Sequence, residues 1–182
     1  LGDIKSLAGK GAWLMMQRSF KKEVTDEKIK NEMTKEFIDY YSKNIANDSK
    51  PFEGLFDFLD WAKSKNISMA VCTNKQERLA VDLLKRLNLF NYFEYVAGSD
   101  TFNYNKPDPR HLTDVVEIIG GDLKKTIMVG DSEVDEMAAT NAKLPFILVA
   151  DGYTEKTVEQ IKHDVLIKDY VGFDKIISKY LW

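Results

Sequence analysis

A chain of 182 residues can bury a sizeable core, as one domain or as one plus a small appendage, and its 44% hydrophobic and 30% charged content is ordinary for a globular protein. A formal net charge of -3 argues against a nucleic-acid binder that relies on a basic surface, and no apolar run approaches the length of a membrane span. The one cysteine, Cys72, cannot form an internal disulfide, and the two separated histidines, His111 and His163, do not make a zinc cluster; a cytoplasmic chain without nucleic-acid or membrane partners is expected.

Residues 1–49 read as helical. Leu7, Leu14, Met15 and Phe20 recur at roughly helical spacing, and after Thr25-Asp26 a second helix carries Ile29, Met33, Phe37, Ile38, Tyr40, Tyr41 and Ile45. The polar run Asn47-Asp48-Ser49-Lys50-Pro51 is a hinge candidate. Beyond it, helices and strands alternate: helix 54–65, strand 67–73, helix 76–88, strand 94–97, helix 108–119, strand 126–130, helix 133–142, strand 145–150, helix 154–161, strand 165–167 and helix 172–181. This alternation predicts an α/β fold, a Rossmann-like three-layer core over 50–182 with a parallel sheet between helices, and a small helical domain over 1–49. Ten basic and eight acidic residues precede Pro51, and 16 basic and 21 acidic ones make up the rest, so the appendage is slightly basic and the body acidic.

The run from Thr126 to Asp135 carries the most chemistry. Ile127 to Val129 suit a short buried strand, Gly130 a tight turn, and Asp131 and Asp135 deliver two carboxylates at the carboxyl end of that strand and one turn into the next helix. Two such carboxylates make a hard oxygen site suited to Mg²⁺, although Asp at a helix N-terminus is favoured by capping alone. Two other strand ends add to it. Met69 to Cys72 run into Thr73-Asn74-Lys75, and Tyr95 to Gly98 are followed by Lys106-Pro107-Asp108-Pro109. Thr73 could merely cap the helix starting near Gln76, and Lys106 could be a solvated lysine. Together, however, a hydroxyl and an ammonium that donate to phosphate oxygens stand beside a carboxylate that holds the screening metal. Cys72 reads as a small core residue, His111 as a surface residue at a helix start, and Phe90, Tyr92, Phe93 and Tyr95 as packing. Phe102-Asn103-Tyr104-Asn105 either lines a pocket or folds a loop.

These motifs, in this order and spacing, resemble the haloacid dehalogenase superfamily of phosphohydrolases, and within it the phosphoglycolate phosphatase type. Pro51-Phe52-Glu53-Gly54 looks like that family's return from its cap domain. The resemblance implies a Mg²⁺-dependent phosphatase acting on a small phosphorylated metabolite, 2-phosphoglycolate, through an aspartyl-phosphate, as a monomer or homodimer. It implies that Thr73 and Asn74 bind the phosphoryl group, that Lys106 neutralises it, and that Asp131 and Asp135 serve the metal, Asp135 through a metal-bound water or by orienting Lys106. It also implies that the cap residues Gly9, Lys10 and Gly11 set specificity. One departure is plain: the family's nucleophile motif, Asp-x-Asp-Gly-Thr, does not occur in this sequence, and Asp3 has neither a strand before it nor Gly-Thr after it. The expectation is that the first strand, central in the sheet between those ending at Thr73 and Asp131, is missing, and that these residues alone are inactive. Alternatives are a sugar-phosphate mutase of the same superfamily, a receiver-type signalling domain, and a non-catalytic binding protein that kept the fold.

Overall fold

The computed structural model describes residues 25–150, 152, 154 and 156–181. The first described element is α1 (Glu27–Asn44), capped by Asp26, whose carboxylate accepts from the Lys28 and Ile29 amides. None of its residues is fully buried, but Ile45, just past its end, is 3% exposed and anchors the chain before the polar turn.

Strands and helices then alternate as α2 (Leu55–Ser64), β1 (Ala70–Cys72), α3 (Glu77–Arg86), β2 (Tyr95–Ala97), α4 (Arg110–Ile118), β3 (Met128–Gly130), α5 (Glu133–Ala142), β4 (Phe146–Val149), β5 (Val165–Ile167) and α6 (Phe173–Leu181). All pairings are parallel. β4 lies between β3 and β5, with Met128 opposite Phe146 and Ile147 opposite Val165, while β1 pairs with β2, Val71 opposite Val96.

The period of two along β4 builds both cores. Phe146 and Leu148 face a cluster with Leu112 of α4 and Ala138 and Ala139 of α5, whereas Ile147 and Val149 face Ile167, Phe173 and Ile177, with Phe58 and Trp61 of α2 packed against them. Being covered on both faces explains why β4 is an unbroken apolar run. Each such side chain contributes about 1.5–3 kcal/mol on burial. The layering is therefore α2 and α6 on one side, α4 and α5 on the other.

Two parallel sets stand side by side, β2-β1 and β3-β4-β5, and among the described residues no ladder joins β1 to β3. Cys72 and Met128 nevertheless pack against the same apolar cluster, so one core spans both sets. The Thr73 amide donates to the Ala97 carbonyl and the Glu94 amide to the Met69 carbonyl, so in a parallel ladder the backbone groups of Ala70 and Cys72 turn away from β2. Consistently, β1 and β3 are only half-buried along their lengths, where β4 is wholly buried.

The helix expected over 154–161 is instead a single 3-10 turn, Val158–Gln160. A reciprocal cap between Thr157 and Gln160 closes that one turn, after which Ile161 becomes extended and buries itself at 2% exposure. Among the described residues no helix is long and apolar enough to cross a membrane.

Candidate active site

Asp131 follows β3 directly and Ser132 caps α5. The Ser132 hydroxyl and the backbone amides of Asp131 and Ser132 all donate to Asp135 Oδ2, at 2.7, 3.1 and 3.1 Å. This reciprocal cap folds the carboxylate back onto the strand end, and Gly130 makes room for it: a Cβ there would lie 2.5 Å from the Asp135 Cβ.

The other oxygen, Asp135 Oδ1, accepts from Lys106 Nζ at 2.6 Å, with the two side chains only 6% and 9% exposed. Burial opposes the charge on Asp135, but the Lys106 ammonium and the hydrogen bonds from Lys106, Ser132 and Asp131 prevail and hold its pKa below the usual carboxylate value. Both Asp135 oxygens are thus engaged by protein donors, and of the two roles open to it the orienting of Lys106 is the one this geometry favours.

The third loop joins through Asn74, whose amide donates to the Lys106 carbonyl at 2.9 Å across 32 positions of sequence. Thr73 does not cap α3. Its hydroxyl oxygen accepts from the Lys75 amide at 3.1 Å, which leaves the hydroxyl proton to donate outward. Capping of α3 falls instead to Asp100, which accepts from the Glu77 amide at 2.8 Å, while Thr101 bridges Glu77 and the Gly98 amide at 2.5 and 2.8 Å. Gly98 permits this close approach, since a Cβ there would lie 2.1 Å from the Glu77 nitrogen. No local pattern announces a cap supplied from 23 residues away.

Thr73, Asn74, Lys106 and Asp131 therefore belong to three loops that follow β1, β2 and β3, with Asp135 in the first turn of α5, at the edge where open α/β sheets bind ligands. Gly9, Lys10 and Gly11 lie outside the described residues.

The reading of one neighbouring residue changes. His111 is not on the surface but wholly buried: its Nε2 meets the Gly98 carbonyl at 3.2 Å, Phe102 stands edge-on to the ring, and Nδ1 has no partner among the described groups. Burial, aided by the Lys106 charge, lowers its pKa and keeps it neutral. Phe102 to Asn105 fold the loop. Phe102 stacks on Tyr104, whose hydroxyl donates to Asp114 and whose ring carries the Arg110 guanidinium 4.2 Å from its centre. The aromatic run at Phe90 packs as expected, Tyr92 donating to Asp60 at 2.8 Å and standing against Phe56. Cys72 is a core thiol whose pKa burial pushes up to about 11, so it is no nucleophile at neutral pH.

Among the described residues no three His, Cys, Asp or Glu side chains converge into a cage for a metal. Mg²⁺ does not require one, since it is commonly held by one or two carboxylates, waters and substrate phosphate. Asp131 suits that arrangement. It sits half-buried at the strand end, and Gly152 is pressed so closely on it that a Cβ there would stand 2.7 Å from Asp131 Oδ2.

Comparison with known proteins agrees with this geometry. The sequence profile of the haloacid dehalogenase-like hydrolases matches residues 3–149. A phosphoglycolate phosphatase of Agrobacterium fabrum is 39% identical over 184 aligned residues, covering 97% of this chain and 79% of the relative. The crystal structure of a predicted phosphoglycolate phosphatase from Haemophilus somnus superposes with a TM-score of 0.87 at 25% identity, covering 95% of this chain and 80% of the other. A β-phosphoglucomutase from Clostridium difficile shares the fold, with a TM-score of 0.77 at 22% identity, covering 97% and 79%. The chain belongs to the haloacid dehalogenase-like hydrolase family. Within that family it is a phosphatase of the phosphoglycolate phosphatase type.

Proposed function

We propose that this phosphatase is Mg²⁺-dependent, works in the cytoplasm and hydrolyses 2-phosphoglycolate or a phosphorylated metabolite of similar size. The observation that carries the reading is the buried Lys106–Asp135 pair, tied through Asn74 to the Thr73 loop and through Asp135 to the loop of Asp131. An ammonium fixed in this way neutralises charge on a transferring phosphoryl group without having to reorganise. Thr73 donates its hydroxyl proton to a phosphoryl oxygen, and Asp131 holds the metal. Mg²⁺, when bound, adds charge neutralisation and orientation of the phosphoryl oxygens.

The attacking group is an Asp on a strand seated between β1 and β3. Support comes from the backbone groups of Ala70 and Cys72, which turn away from β2. The attacking carboxylate forms a bond to phosphorus as the ester P–O bond breaks, the second Asp of the family's Asp-x-Asp-Gly-Thr motif protonates the departing alkoxide, and water then hydrolyses the aspartyl-phosphate.

The test uses the protein expressed from its full reading frame. Turnover of 2-phosphoglycolate should require added Mg²⁺ and vanish in Asp131→Asn, with the circular dichroism spectrum unchanged. Undiminished turnover by that variant would overturn the metal assignment. 2-Phosphoglycolate should also be preferred over hexose phosphates and nucleotides, and the reverse order would favour the mutase reading.

A further inference from the structure

Lys75 takes no part in the chemistry above, yet it is held as firmly as the residues that do. Its amide donates to Thr73, its carbonyl accepts from the Ser99 amide at 2.9 Å, and its side chain runs to α1. There its ammonium donates to the Tyr41 hydroxyl and lies 4.4 Å from the centre of the Tyr41 ring, which Phe37 backs at 6.1 Å. Both Lys75 and Tyr41 are half-buried, and no carboxylate among the described residues lies within ion-pair distance of Lys75.

A half-buried ammonium without an anion is costly, whereas one facing a ligand anion is not. Its partner sharpens the point. A phenol that accepts from an ammonium keeps its own proton to donate, so Lys75 and Tyr41 together present N–H and O–H donors to one acceptor group. The pair also lies close to the phosphoryl-binding hydroxyl: Lys75 is two residues from Thr73, at most about 7 Å along the backbone.

We propose that Lys75 and Tyr41 form a receptor for a second anionic group on the substrate, a carboxylate a short spacer away from the phosphoryl group. A single positive charge with a neutral hydroxyl matches a monoanion better than a second phosphate, which carries close to two charges. This inference rests on the phosphatase reading and deepens it: specificity for phosphorylated acids is set where α1 meets the β1 loop.

The experiment compares kcat/KM for 2-phosphoglycolate, for ethyl phosphate, which lacks the carboxylate, and for ethylene glycol bisphosphate, which replaces it with phosphate, using the protein expressed from its full reading frame. The preference of the wild type for 2-phosphoglycolate over ethyl phosphate should fall about 10- to 100-fold in Lys75→Met, the worth of hydrogen bonds to a charged group, fall less in Tyr41→Phe, and be largely restored in Lys75→Arg. A ratio that stays within about twofold of wild type in Lys75→Met, or a bisphosphate preferred to 2-phosphoglycolate, overturns the inference. A second readout needs no turnover. The extra rise in Tm given by 2-phosphoglycolate over inorganic phosphate should disappear in Lys75→Met, and its persistence there would also overturn the proposal. If the wild type hydrolyses none of the esters but shows that Lys75-dependent difference, the receptor stands and the phosphatase reading falls.

Discussion

At the scale of single residues, the Lys106–Asp135 pair couples chemistry to stability. Lys106→Met keeps the alkyl stem and removes the charge, so kcat should fall by a factor corresponding to about 2.7–4 kcal/mol, as when other preorganised donors to a transition state are lost. A change confined to KM would make Lys106 a docking residue. The same pair is 2.6 Å apart and nearly sealed from water, so removing one partner strands the other. Asp135→Ala should destabilise the fold by about 3–5 kcal/mol in urea unfolding, and adding Lys106→Met to that variant should restore part of the loss. Additive losses in the double variant would show that the two charges do not depend on each other.

Elements are fixed by caps that differ in how far they reach. Ser132 caps its own helix through Asp135, so the signal lies within four residues; Ser132→Ala should cost about 0.5–2 kcal/mol and also lower kcat, because Asp135 would lose a donor that orients it. Asp100 caps α3 from a different loop, and Asp100→Ala should cost a similar amount, measured by chemical denaturation. Since the Ser99 amide, next to Asp100, braces the Lys75 carbonyl, the Asp100 change should also raise KM. A stability loss with unchanged kinetics would make this brace purely structural. On β4, by contrast, two-sided burial decides everything. Ile147→Ala should cost about 2–5 kcal/mol.

For the whole molecule, beside the carboxylates of Asp135 and Asp108, whose pKa values are also lowered, His111 is one group through which pH acts. Its folded pKa lies below the ordinary value of 6.5, so the unfolded chain binds a proton that the native state refuses. The corresponding stability is fully present above 6.5 and is lost as pH falls from there through the folded value. His111→Gln keeps a donor for the Gly98 carbonyl but cannot titrate, so it should remove the part of the acid destabilisation that starts near pH 6.5; an unaltered profile would put that transition elsewhere. The split between β1 and β3 belongs to the same scale. On the proposed reading Thr73, Lys106 and Asp131 would position phosphate and metal but supply no attacking carboxylate, so a preparation whose intact mass matches these 182 residues alone should show no phosphatase turnover. Robust turnover by such a preparation would require a different nucleophile.

The α/β class and the positions of most helices and strands, 154–161 excepted, were legible in the sequence, as were the strand ends that carry Thr73, Lys106 and Asp131, because each depends on local order: apolar runs of strand length, Gly turns and capping residues. What the sequence did not disclose depends on contacts across the sheet. That Asn74 binds the Lys106 backbone, that Lys106 takes the second Asp135 oxygen, that Asp100 rather than Thr73 caps α3, and that His111 is buried against Gly98 all follow from contacts between residues 13 to 32 positions apart. Side-chain type alone cannot rank such pairings, since which groups meet is set by how the loops pack across the sheet. The pairing of Lys75 with Tyr41 is of the same kind. The motif Thr73-Asn74-Lys75 places that lysine after a strand, but only the tertiary structure brings an aromatic hydroxyl from α1 against it.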